Sequence, residues 1–171
     1  MKTQITFAAL TMAAHIACGT QVPYKELSDI VRESDHVIVG TVTNVLVHNQ
    51  SGDLIADPKE GTGRNGNDMR LFVRRDPDGV LKSTRTDVPD ELQIDYGGIF
   101  FLRLSMEQEH HIGKTYIFLL KGDTFAPTYH MLSFRPLEER SQIVGLLKKE
   151  EAQPAGGAYF LPGAGKKSAH P

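Results

Sequence analysis

One cysteine and no tryptophan occur in 171 residues. A single thiol has no intramolecular partner, so the fold must be held by its core and backbone ladders rather than by disulfides. A strong excess of either charge is also missing. Nineteen Lys and Arg against twenty-one Asp and Glu leave a formal net charge of -2. Nucleic-acid-binding domains present a clearly basic face, so no nucleic-acid partner is expected. There is no internal repeat and no Gly-x-Ser-x-Gly elbow. The one glycine-rich stretch, Gly61 to Gly66, lacks the Lys-Ser/Thr ending of a phosphate loop. Sixteen Gly and nine Pro point instead to many turns and a β-rich fold of modest core.

What is present begins with a leader. Lys2 supplies a positive end, and Ile5 to Ala17 form an apolar run of signal-peptide length. A spanning helix would need about 20 such residues. Residues 1–19 are therefore expected to be a cleaved signal peptide. The protein is expected to be exported, either to the periplasm or outer envelope with a lipid anchor, or secreted. Two ways of ending the leader stand open. Ala17-Cys18-Gly19 suits ordinary signal peptidase and a mature start at Thr20. Ile16-Ala17-Cys18 suits a lipobox, with Cys18 as the lipid-attachment residue, although His15 stands where an aliphatic residue is usual. Losing Lys2 with the leader takes the formal charge from -2 to -3.

Along the mature chain, Leu27, Ile30 and Val31 are spaced as the stripe of a short helix over 24–34. Val37 to Val47 is β-branched almost throughout, with no polar face. It predicts a strand buried on both sides or rolled into a barrel, bent at Gly40, with Val39 facing the interior and Val42 the opposite side. Residues 49–68 read as a long loop. Met69 to Val73 and Val80 to Ser83 read as strands joined by an Asp76-Pro77-Asp78-Gly79 turn. Further strands are expected over 91–96, 99–106, 114–121 and 128–134, with a helix over 136–150 carrying a Leu137, Ile143, Val144 and Leu147 stripe. Residues 153–171 are aperiodic and expected to be a disordered tail.

Four stretches in a fixed order carry a resemblance. They are Ser34-Asp35-His36-Val37-Ile38-Val39-Gly40-Thr41-Val42, then Leu71-Phe72-Val73 with Val80-Leu81-Lys82, then Leu92 to Gly98, and Gly113 to Leu119. Together they resemble the netrin-like, or tissue-inhibitor-of-metalloproteinase-like, OB-fold family of small exported bacterial proteins. The resemblance implies a mainly β fold over 20–152: a small OB-like five-stranded barrel with a short N-terminal helix and a C-terminal helix. It does not imply a function. The eukaryotic inhibitors of this kind use an N-terminal Cys-x-Cys. Cys18-Gly19-Thr20 lacks the second cysteine, so their mechanism is not carried across.

Candidate chemistry is sparse. Glu107-Gln108-Glu109-His110-His111 offers Glu109, His110 and His111 as weak metal ligands. Adjacent histidines on an extended chain point apart, and no His-x-x-x-His or Cys-x-x-Cys completes a set, so a charged loop is the simpler expectation. His36, His48 and His130 lie in or beside predicted strands. Ser105, His110 and Asp95 could be written as a triad without any supporting motif. Arg70, Arg74, Arg75, Lys82 and Arg85 surround one hairpin with Phe72, which reads as a solvated face. The expectation is a non-enzymatic binding module with no cofactor. It would act by contact with another exported or envelope protein, as an inhibitor or immunity-type partner of an exported enzyme. The alternatives are a structural envelope lipoprotein, or a metal-binding or hydrolytic protein using Glu107 to His111.

Overall fold

The computed structural model describes residues 24–55, 66–96 and 103–152. The expected leader with Cys18 and the expected tail lie outside the described residues. The elements run α1 (Leu27–Glu33), β1 (His36–His48), β2 (Leu54–Ile55), β3 (Asp68–Ser83), β4 (Glu91–Asp95) and α2 (Leu104–His111). They continue with β5 (Thr115–Lys121), β6 (Ala126–Pro127), β7 (Phe134–Pro136) and α3 (Arg140–Ala152). Short 3-10 turns occupy His130–Ser133 and Leu137–Glu139.

The fold is mainly β: one antiparallel sheet of seven strands in the path β4-β3-β1-β5-β6, with β2 added to β1 and β7 to β5. Among the described residues no ladder joins β4 to β6, so the sheet is not closed as the expected barrel would be. The two edge strands do come into contact. The seam stays unpaired for a local reason: β6 is only two residues long, and Pro127 has no N–H to donate.

The curled sheet holds one apolar core on its inner face and a second beneath the helices. Ile38, Val42, Val45, Leu71, Ile94, Phe118 and Leu120 build the first, with Leu104 of α2. Val37, Val39, Ile117 and Leu119 turn the other way and pack under Ile30 and Val31 of α1 and Ile143 and Leu147 of α3. Alternate residues of β1 therefore enter different cores, as a strand with two apolar faces must. Val39 and Val42 face opposite ways, but Val42 takes the inside of the sheet and Val39 the helix layer, the reverse of the expected assignment.

Several expectations are corrected. Residues 68–83 form a single strand. The register passes from Ile38↔Val80 to Gly40↔Arg75, so Asp76 to Gly79 bulge out opposite Val39 instead of turning the chain back. Arg75 holds the bulge: Nη1 donates to the Asp76 and Pro77 carbonyls at 3.2 and 3.1 Å. Of the predicted strand 99–106, Leu104 to Met106 are helical instead. Its first four residues lie outside the described ones, and Leu104 begins α2, a helix of good formers that seats Leu104 and His111, two turns apart, on one buried face. The Glu107–His111 stretch is thus helical, not a loop. Over 128–134 a 3-10 turn replaces most of the expected strand, leaving β7. At the C-terminal helix, Leu137 belongs to the preceding 3-10 turn and is 39% exposed; Ile143 and Leu147, with Leu146 beside them, form the packed stripe.

Candidate binding cleft

Leu92 and Ile94 of β4 point into the core, so Glu91, Gln93 and Asp95 point outward. Their neighbours in register on β3 are Arg74, Phe72 and Arg70. Where this outer face meets the approach to β6, a cleft of about 350 Å³ opens, lined by Arg70, Gln93, Asp95, Thr124 and Ala126. At its floor Arg70 Nε lies 2.8 Å from Asp68 Oδ2 and 3.8 Å from Asp95 Oδ1. Burial, followed by the adjacent Asp68 carboxylate, holds the Asp95 carboxyl above the usual carboxylate range; Arg70 and His48 act against that.

The opposite wall is a turn fixed from several sides. Gly122 has φ +69° and Phe125 φ +54°, a left-handed backbone that a bulky residue adopts only when its surroundings impose it. The Gly122 N–H donates to Asp35 Oδ2 at 2.8 Å, and the Gly122 carbonyl accepts from His36 Nε2 at 3.2 Å. The Phe125 ring is buried between the His36 ring, 4.7 Å away, and the Arg85 guanidinium, 5.6 Å away. His36 Nδ1 bonds Ser83 Oγ at 2.9 Å, which ties the turn to the end of β3. Thr124, between the two left-handed residues, is thereby set at the cleft.

Below α2 lies a buried polar cluster. His111 Nδ1 is 3.1 Å from the Tyr116 hydroxyl and Nε2 is 2.9 Å from the Tyr96 hydroxyl. Glu107 Oε2 stands 3.3 Å from Nε2 and also bonds Tyr96. One proton arrangement satisfies all four groups. Tyr116 O–H donates to Nδ1, Nε2–H donates to the Tyr96 oxygen, and Tyr96 O–H donates to Glu107. Burial, with His110 and Lys114 adding repulsion, lowers the His111 pKa to about 4. Burial and Glu107 push both tyrosine hydroxyls up.

The expected metal candidates are not brought together. Glu109 and His110 are exposed, while both His111 nitrogens already face tyrosine hydroxyls. Among the described residues no three His, Cys, Asp or Glu side chains converge on one point. His36 and His48 end opposite termini of β1, and His130 is exposed in its 3-10 turn. No hydrogen bond joins Ser105, His110 and Asp95. The cations along and beside β3 are mostly paired: Arg70 with Asp68, Arg75 with Asp90, Lys82 with Glu150, and Arg85 with Asp87. The cleft itself had no motif to announce it. The signal that was available is the 92–96 alternation, which puts Glu91, Gln93 and Asp95 outside. No family model matches the chain, nor does any curated protein or any solved structure.

Proposed function

We propose that the chain is an exported, non-enzymatic module of OB-like build, akin to the netrin-like and metalloproteinase-inhibitor-like proteins, that binds another exported or envelope protein through this cleft. Support for the OB-like build comes from the pairing order and from the contact between the two edge strands. Such barrels are five-stranded and partly open, and they take ligands on the face of their second and third strands together with the loop between the fourth and fifth. Counting only β1, β3, β4, β5 and β6, that face is β3–β4 and that loop is the Gly122–Phe125 turn. The observation that carries the function is that the cleft lies between these two features, with its turn already fixed. A wall set before binding spares the entropy of ordering it in the complex. Export rests on the leader, and a lipid anchor would rest on Cys18.

A pull-down from the native envelope fraction tests the reading. The tagged exported protein should capture a discrete partner, and Thr124→Arg or Gln93→Arg, which fill the cleft, should abolish capture with folding unchanged. Equal capture by the filled variants would remove the cleft from the function.

A further inference from the structure

The charges of the cleft do not balance. Asp68 and Asp95 share the guanidinium of Arg70, which is committed at 2.8 Å to Asp68 and reaches Asp95 only at 3.8 Å. His48, opposite Asp68 in register, is the remaining basic group beside the pair, and its Nδ1 is buried without a hydrogen-bond partner. The far wall contributes the Thr124 hydroxyl and the Ala126 methyl, neither charged. The Asp95 side chain is 59% exposed, so its carboxylate is open to whatever enters. Two carboxylates held side by side repel, and this adds to burial in keeping the Asp95 carboxyl above the usual carboxylate range in the free protein.

We infer that the cleft takes a lysine or arginine side chain, its cationic head seated between the Asp95 carboxylate and the Thr124 hydroxyl. That the side chain belongs to a partner protein rests on the function proposed above; its charge does not. A cation relieves the repulsion that the free protein bears. An anion would meet the Asp95 carboxylate, with Asp68 next to it, while Arg70 is already engaged by Asp68. An apolar group would leave Gln93, Asp95 and Thr124 desolvated without partners. A cavity of about 350 Å³ has room for a basic side chain together with bridging water.

Two capped peptides serve as probes, acetyl-Gly-Arg-Gly-amide and acetyl-Gly-Glu-Gly-amide. Each is titrated at millimolar concentration into the isotopically labelled exported protein while backbone amide shifts are followed. The arginine peptide should move the amides of Gln93, Asp95 and Thr124, and the glutamate peptide should not. Asp95→Asn should weaken the arginine peptide about fivefold, as loss of a partly exposed ion pair does. An unresponsive cleft, equal shifts with both peptides, or undiminished binding in Asp95→Asn each overturns the inference. Capture lost in Thr124→Arg alongside an unresponsive cleft would keep the docking site and discard only the cation.

Discussion

Gly79 lies against the backbone of Val39: a Cβ on Gly79 would stand 2.4 Å from the Val39 carbonyl oxygen and 2.9 Å from that of Asp76. No rearrangement of a flexible side chain relieves such a contact, because both obstacles are main chain. Gly79→Ala should therefore destabilise by roughly 1–3 kcal/mol, the range of an overpacked site. Gly145→Ala on α3 meets open space and should instead stabilise by up to about 1 kcal/mol, the helix preference of Ala over Gly. Urea midpoints read both. A Gly79→Ala protein as stable as the parent would mean that the bulge does not approach β1 this closely.

Acid should loosen the α2 joint. The folded state holds His111 neutral down to about pH 4, whereas the unfolded chain protonates it near 6.5. Its contribution is complete above about 6.5 and is lost as pH falls toward about 4. After solvent screening is allowed for, this amounts to on the order of 2 kcal/mol. Measured against His111→Gln, the parent's stability advantage should narrow between pH 7 and pH 4.5. An advantage constant across that range would place the histidine in contact with water.

Asp95→Asn should raise the thermal midpoint slightly at pH 7. A carboxyl whose folded pKa is raised favours the folded state while protonated, and loses that benefit as pH rises through the folded value. Removing the charge removes its desolvation cost and a repulsion with Asp68, together worth about a few tenths of a kcal/mol at so exposed a site. The gain should shrink at pH 4, and a lower midpoint at pH 7 would contradict the arrangement.

Val39→Asp would bury a charge under the helix layer, where Val39 is 1% exposed. It should cost several kcal/mol, enough to unfold a domain of ordinary stability. Thr43→Asp, on an exposed stretch of the same strand, should stay within about 1 kcal/mol. Circular dichroism in urea separates the outcomes, and similar midpoints would remove Val39 from any core.

Intact-mass measurement on protein from the native host should show cleavage between Ala17 and Thr20, with or without an acyl chain on Cys18. Full-length chain in the cytosol would contradict export.

Much of the sheet was legible because its signals are local. The β-branched run of β1 and the alternation of β4 needed no knowledge of what they pack against. The bulge was not legible, since Asp-Pro-Asp-Gly reverses a chain or bulges it equally well, and only pairing with β1 decides. For α2, the apolar run 99–102 reads as strand in the sequence, and that pattern gives no sign that Leu104 opens a helix. His111 counts as polar in any pattern, yet it is the buried residue of its turn. The cleft draws on residues 70, 93, 95, 124 and 126, each ordinary where it stands.

A strand with one wet face tells its neighbours how to align, because a slip by one residue would drown its apolar side chains. From Val37 to Val39 and from Ile117 to Leu120 that check is missing, since either parity offers an apolar residue to both cores. Over this first half of β1, alignment with β3 must then be enforced by shape, and the places that enforce it are the two where a side chain does not fit. Gly40 is pressed on Val73 and Arg74, and Gly79 on Val39. A slipped ladder would bring a Cβ into one of these contacts. The two glycines thus serve as the alignment key of the first half of β1, where the hydrophobic pattern carries none; beyond Val42 the exposed Thr43 and Asn44 supply one.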